Sequence, residues 1–302
     1  MEKSFMIKEI KRLKEEKNAV ILAHYYQEGD VQDVADFTGD SLYLSQIAAE
    51  TDADVIVFCG VHFMAETAKI LSPQKKVLLP VAEAGCPMAD MVTESRLARY
   101  KRENPDKVVV CYVNSTAKVK AMSDICVTSS NAVKIVEHYK DQDLLYLPDK
   151  NLGTYLNHEL GINMEVWPGF CCVHNDLTIF DVADKRKEFP NAQFIVHPEA
   201  KLDVVLLADF VGSTKGLLNY VIESNHDEFI IGTEDGIIHT MEKACPDKKF
   251  HILSKGLRCY DMKMTHLSDV YLALKEDQFE IDVPEDIRLK AFEAVDKMLK
   301  LS

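Results

Sequence analysis

The chain has 302 residues, 47% hydrophobic and 28% charged, with a formal net charge of −14. That charge argues against nucleic-acid binding, which needs a basic footprint; an anionic substrate would need a locally positive pocket. No run approaches the roughly 18 apolar residues of a membrane span, and the N-terminal segment lacks a signal peptide's apolar core. A cytoplasmic location is expected, with the eight cysteines as thiols or metal ligands rather than disulfides.

Residues 1–19 alternate apolar and charged positions at helical spacing. A β-rich run at 20–26 follows, then a helical stretch through Val31 and Asp36 and a short strand ending at Ser41. Residues 55–60 read as a strand, 64–71 as a helix and 77–81 as a fourth strand. The order repeats: strand at 108–114, helical stretch through Val119 and Asp124, strand end at Ser129, strand at 144–148, helix at 152–160, strand at 164–167. It repeats again: strand at 194–199, Val204 and Asp209, Thr214, strand at 229–232, helix at 237–244, strand at 250–253. Helices between these units are expected at 94–103, 131–139 and 177–188. After Pro284 a last helix carries Ile287, Ala291, Val295 and Leu299 on one stripe, to pack outside a lobe.

The three units overlay without gaps. Residues 19–41 match 107–129 and 192–214 at offsets of 88 and 85. Val31, Val119 and Val204 coincide, as do Asp36, Asp124 and Asp209. Near-continuous apolar strands alternating with helices imply parallel sheets buried on both faces. The expected fold is α/β: three similar Rossmann-like lobes with parallel sheets, in pseudo-threefold arrangement around a central site. The lobes are placed at 1–86 with the N-terminal helix, 87–171, and 172–302 with the C-terminal helix.

The polar positions coincide too: His24 with Tyr112 and His197, Tyr26 with Asn114 and Glu199, Ser41 with Ser129 and Thr214. They stand at the carboxyl ends of strands, where open parallel sheets bind ligands. Residues two apart on an extended strand share a face. Each lobe's set alone reads as ordinary strand-end turn residues. Agreement in position with difference in chemistry fits one asymmetric ligand held by all three. The shared aspartates stand at helix-to-strand junctions and read as turn or capping residues.

Cys86, Cys171 and Cys259 each follow a fourth strand. The chain has no C-x-x-C pair, which disfavours a ferredoxin-type cluster, a zinc ribbon or a thioredoxin motif. The three are either metal ligands gathered by the fold or small buried hydrophobes. Cys59, Cys111, Cys126 and Cys245 lie in or beside apolar runs and read as core, and the Cys171-Cys172 pair leaves its ligand open.

Further motifs carry a family resemblance. They are A-H-x-Y at 23–26, G-D-S at 39–41, M-A-E-T-A at 64–68, Y-V-N-S-T at 112–116 and T-S-S-N-A at 128–132. P-D-x-N-L at 148–152, W-x-G-x-C-x-V-H at 167–174, H-P-E at 197–199 and C-x-x-M-K-M at 259–264 complete the set. Over nearly its whole length the chain resembles the quinolinate synthases, iron–sulfur enzymes of NAD biosynthesis. The resemblance implies a [4Fe-4S] cluster on Cys86, Cys171 and Cys259, with Cys171 chosen over Cys172. It also implies condensation of iminosuccinate (iminoaspartate) with dihydroxyacetone phosphate to give quinolinate, phosphate and water. The cluster's open iron would act as a Lewis acid, and an aspartate-oxidising enzyme would be the functional partner. His24, Ser41, Tyr112, Asn114, Ser129, His197 and Thr214 would hold substrate, while Tyr26, Glu199 and His197 are the candidates for proton transfer. Two positions depart from the family: Tyr25, commonly Asn, and Lys215, where a small residue is expected. From other classes, a cluster-bearing redox sensor, a zinc-dependent aldolase or dehydratase using His24 and His197, and a metal-free binding repeat remain alternatives.

Overall fold

A computed structural model describes residues 2–302, leaving Met1 of the predicted N-terminal helix outside. In chain order, lobe one holds α1 (Lys3–Glu16), β1 (Ala19–His24), α2 (Gly29–Val34), β2 (Phe37–Gly39), α3 (Ser41–Glu50), β3 (Val55–Cys59), α4 (His62–Leu71) and β4 (Lys76–Leu78). After α5 (Glu94–Glu103), lobe two holds β5 (Val108–Tyr112), α6 (Ala117–Lys120), β6 (Ile125–Val127), α7 (Ala132–Tyr139), β7 (Leu144–Leu147), α8 (Lys150–Leu160) and β8 (Glu165–Val166). Two helices, α9 (Cys172–Asn175) and α10 (Ile179–Glu188), precede lobe three: β9 (Gln193–Val196), α11 (Leu202–Val205), β10 (Phe210–Val211), α12 (Thr214–Glu223), β11 (Glu228–Gly232), α13 (Ile237–Ala244) and β12 (Lys249–Ile252). The chain ends with α14 (Leu267–Glu276) and α15 (Glu285–Leu301).

The three sheets are four-stranded and parallel, with one order: β2-β1-β3-β4, β6-β5-β7-β8 and β10-β9-β11-β12. The first strand of each lobe pairs the second on one side and the third on the other. Strand order therefore reverses beside it, where such sheets open a ligand crevice. Runs such as Val20–Ala23 and Phe194–Val196 are buried on both faces because helices cover both.

The shared aspartates do more than turn the chain. Asp36, Asp124 and Asp209 each accept a hydrogen bond from the first strand, at Ile21 N (2.9 Å), Val109 N (2.8 Å) and Phe194 N (2.7 Å). Each clamps its edge strand against the central one.

Four expectations change. The helix predicted at 131–139 is α7, which lies inside lobe two as the counterpart of α3 and α12 rather than between lobes. Helices α3 and α12 lie outside the sequence expectation: each opens directly on turn-forming residues, Gly39-Asp40-Ser41 and Gly212-Ser213-Thr214. The last helix does not cover one lobe. α15 packs across α4 of lobe one and α6 and β6 of lobe two, burying Ala291, Ala294, Val295 and Met298. The unanticipated α14 returns to pack on α1 and β3 of lobe one.

Candidate active site

The carboxyl ends of all three sheets face one central cavity. His24, Tyr26, Ser41, Tyr112, Asn114, Ser129, His197, Glu199 and Thr214 line it, as do Cys86, Cys171 and Cys259. All twelve residues singled out in the sequence meet there.

The strands place these side chains in a way that differs from a simple two-residue alternation. β1 ends at His24 and β9 at Val196, so Tyr26 and Glu199 lie in the turns beyond. Each turn is closed by its histidine: His24 Nδ1 accepts Tyr26 N–H (3.1 Å), and His197 Nδ1 accepts Glu199 N–H (3.3 Å). An accepting Nδ1 leaves the proton on Nε2, so both rings are neutral donors on the cavity wall. Burial lowers His24 to a pKa of about 3, helped by its neighbours His197 and Lys263. Burial lowers His197 to about 4 against the opposing pull of Glu199.

Helix starts supply the rest. Asp40 caps α3 through Tyr43 N (3.0 Å), and Ser213 caps α12 through Gly216 N (3.1 Å). Ser130, just before α7, ties the two caps together: its Oγ lies 2.6 Å from Asp40 Oδ2 and 2.8 Å from Ser213 Oγ. The hydroxyls of Ser41, Ser129 and Thr214 line the cavity at these helix starts. Among the described residues no lysine or arginine lines the cavity, so the locally positive pocket expected for an anion is absent. Helix N-termini and neutral N–H and O–H donors take its place, favouring anions without a formal charge. Asn114 Oδ1 is buried and has no partner in the protein.

A continuous hydrogen-bonded chain crosses the cavity wall. Tyr26 Oη contacts Thr214 Oγ1 (3.0 Å) and Thr233 Oγ1 (2.7 Å). Thr233 Oγ1 contacts His174 Nε2 at 2.9 Å, and His174 Nδ1 lies 2.8 Å from Glu199 Oε2. Tyr112 Oη donates to Glu199 Oε1 at 2.7 Å. Burial pushes the Glu199 carboxyl up, but the neighbouring imidazoles of His197 and His174 and the hydrogen bond from Tyr112 outweigh it and hold the group below the ordinary carboxylate range. Burial, and then the Glu199 charge, raise both Tyr26 and Tyr112 well above the usual phenol value. Both hydroxyls therefore stay protonated at neutral pH.

The cysteines are free thiols. Burial pushes Cys86 and Cys171 up and Cys259 to about 12. A bound metal removes such protons outright. Three cysteines lining one cavity are a donor set that suits a soft metal centre. Cys171 Sγ, His174 Nδ1 and a Glu199 carboxyl oxygen lie within 4.8 Å of one another, a second donor set touching the first. Cys172 is exposed at the rim. Cys59, Cys111 and Cys126 are fully buried as expected of core residues, and Cys245 is half-buried at the end of α13.

Four participants were not singled out in the sequence: His174, Thr233, Asp149 and Glu234. The overlay offsets of 88 and 85 held a signal for three of them, and none for Thr233. Carried forward, they align Val61 with Asp149 and Glu234, and they set His174 opposite Cys86 and Cys259. These positions follow the third and fourth strands, beyond the segment first compared. The two departures from the family also find places. Tyr25 of lobe one is buried in the apolar core of lobe three, and the Lys215 ammonium sits 4.9 Å over the Tyr43 ring.

Comparison with known proteins places this site in a family. A profile for NadA, described as quinolinate synthetase A protein, matches residues 8–300. The chain is 52% identical to the quinolinate synthase of Alkaliphilus metalliredigens, over the whole of both chains. It is 48% identical to quinolinate synthase 2 of Methanosarcina acetivorans, covering 100% of this chain and 97% of that one. Identity to the quinolinate synthase of Clostridioides difficile is 46%, over 97% of each. The chain belongs to the quinolinate synthetase A family.

Proposed function

We propose that this chain condenses iminosuccinate with dihydroxyacetone phosphate, releasing phosphate and water to form quinolinate for NAD biosynthesis. The observation that carries this reading is the single cavity lined by strand-end residues of all three lobes together with Cys86, Cys171 and Cys259. Those cysteines would hold a [4Fe-4S] cluster, which when bound supplies a Lewis-acidic iron free of protein ligands. The Nε2–H groups of His24 and His197 and the hydroxyls of Ser41, Ser129 and Thr214 orient the carboxylates and the phosphate. Asn114 adds an amide that can donate and accept.

Carbon–carbon bond formation, isomerisation and water loss each move a proton. Tyr26 and Glu199 take these transfers, and the chain through Thr233 and His174 lets one restore the other without bulk water. His197 holds Glu199 in place through its turn and presents its own N–H to substrate. A zinc site built on His24 and His197 fits less well, because both Nδ1 atoms already accept backbone N–H groups.

The substrate iminosuccinate requires an aspartate-oxidising enzyme as functional partner, and we assign the chain to the cytoplasm. No described helix is long and apolar enough to cross a membrane. The test is anaerobic reconstitution followed by measurement of iron, sulfide and zinc per chain, then of quinolinate formation from both substrates. About four irons with matching sulfide and quinolinate production are expected. Zinc in place of iron would favour the aldolase or dehydratase reading. A full cluster with neither turnover nor affinity for quinolinate would favour a redox sensor.

A further inference from the structure

The ends of the third strands, at the switch point of each sheet, carry a buried carboxyl group in two lobes out of three. Asp149 follows β7 and Glu234 follows β11; both are 0% exposed. Under the repeat offsets they are equivalent residues, with Val61 in the same place in lobe one. Each reaches the backbone of its own lobe's cysteine. Asp149 Oδ2 accepts Cys171 N–H at 3.2 Å, and Glu234 Oε1 accepts Cys259 N–H at 3.0 Å.

The remaining bonds fix the carboxyl groups themselves. Asp149 Oδ1 caps α8 through Asn151 N (2.7 Å) and Leu152 N (2.9 Å). Glu234 Oε2 accepts Gly236 N–H at 2.8 Å, and Lys263 Nζ lies 3.0 Å from Oε1. Lys263 also donates to Tyr26 O at 2.6 Å, so the Cys259 loop and the Tyr26 turn share one anchor. Lobe one lacks this device. There Gly85 N–H, next to Cys86, reaches Asp261 Oδ1 at 3.3 Å, two residues beyond Cys259.

We propose that Asp149 and Glu234 are positioning residues for the metal centre, each aiming one cysteine by holding its backbone N–H. The inference rests on the reading of Cys86, Cys171 and Cys259 as cluster ligands. A cysteine's Cα–Cβ direction follows its backbone, so pinning the N–H limits where the sulfur can point. Residues behind metal ligands in this way typically change metal affinity 10–100-fold when replaced. The repetition in two lobes by different carboxyl side chains separates this role from an incidental turn contact.

Asp149→Asn and Glu234→Gln test it in the full-length chain, reconstituted anaerobically. Asparagine caps a helix as well as aspartate does. With its oxygen on the α8 cap, its amide NH₂ faces Cys171 N–H, donor against donor. The cap survives and the hold on Cys171 is lost. Three readouts apply: iron and sulfide per chain, the rate of iron transfer to a chelator, and the electron paramagnetic resonance spectrum of the reduced cluster. Both variants should match wild type in far-ultraviolet circular dichroism, yet release iron at least about tenfold faster with a shifted spectrum. Wild-type release rates and spectra in both variants would overturn the proposal while leaving the cluster reading intact. A wild-type chain that takes up neither iron nor sulfide would overturn the cluster reading and this inference with it. The two substitutions act in different lobes, so a folding defect in one leaves the other to decide.

Discussion

Glu199 and Tyr26 sit at equivalent strand ends of different lobes, yet the side chains of Thr233 and His174 join them into one hydrogen-bonded path. Replacing Glu199 with Gln keeps the shape and removes the proton acceptor. Cluster content should be unchanged while kcat falls by two or more orders of magnitude, the usual scale for a lost general base. Thr233→Val cuts the path while leaving Tyr26 its bond to Thr214 and Glu199 its bond to Tyr112, so kcat should fall about tenfold or more with KM nearly constant; an unchanged kcat would remove the path from the mechanism. His24 offers a test in stability rather than rate. Its folded pKa of about 3 lies below its unfolded value of 6.5, so below pH 6.5 the unfolded chain binds a proton the folded chain refuses. Wild-type stability, measured against His24→Gln, should therefore fall by about 1.4 kcal/mol per pH unit between about 6.5 and 3. Urea midpoints of both proteins across that range would show it, and parallel curves would mean that His24 takes up its proton as readily in the folded chain as in the unfolded one. Near it stand His197, Lys263 and Glu199, all present in both proteins, so the difference isolates the one ring.

Among the elements, α15 has the clearest energetic role, because it covers the seam between lobes one and two with a row of small and flexible residues. Met298 is 0% exposed there, and Met298→Ala should cost about 2–5 kcal/mol, read as a lower urea midpoint at constant m-value. The stripe of that helix was legible in the sequence, since apolar residues at helical spacing mark a buried face wherever it lands. Its landing place was not legible: a stripe names no partner, and lobes one and two were as apolar as lobe three. The strands were legible because fully buried parallel strands are near-continuous apolar runs, and the ungapped repeat gave each one three readings. Helices α3 and α12 were not legible even though at least half of each is apolar. Their caps, Asp40 and Ser213, are turn-forming residues, so the first turn of each helix looks like a loop until Ser130 draws the two together. The twelve site residues were legible because strand ends in parallel sheets are where ligands sit. Asp149, Glu234 and His174 lay at the same offsets but past the compared segment, and a buried carboxyl has no signature distinct from a surface one in a single sequence.

At the scale of the whole molecule, three sheets with separate hydrogen-bond ladders share one cavity, so the precision of the site depends on the seams between lobes. The seam between lobes one and three is polar and buried. Gln32 Nε2 lies within reach of Tyr25 O (3.0 Å), Gln27 O (2.9 Å) and Gly236 O (2.9 Å), and its Oε1 accepts from Thr240 Oγ1 at 2.7 Å. Gly236 permits that approach, since a Cβ there would stand 2.8 Å from Tyr26 Cα. Tyr25, with its hydroxyl pushed to about 12 by burial and by Asp40, plugs the core of lobe three from lobe one. The backbone that Gln32 grips is therefore the turn that carries Tyr26 and follows His24. Gln32→Leu keeps the volume but leaves backbone carbonyls unpaired at a buried position, a cost of about 1–3 kcal/mol. If seam and site are one mechanical unit, the urea midpoint should drop and the Kd for quinolinate should rise about tenfold together. A loss of stability with an unchanged Kd would mean that each lobe shapes its own part of the cavity, and that the seams hold the lobes together without setting the distances between them.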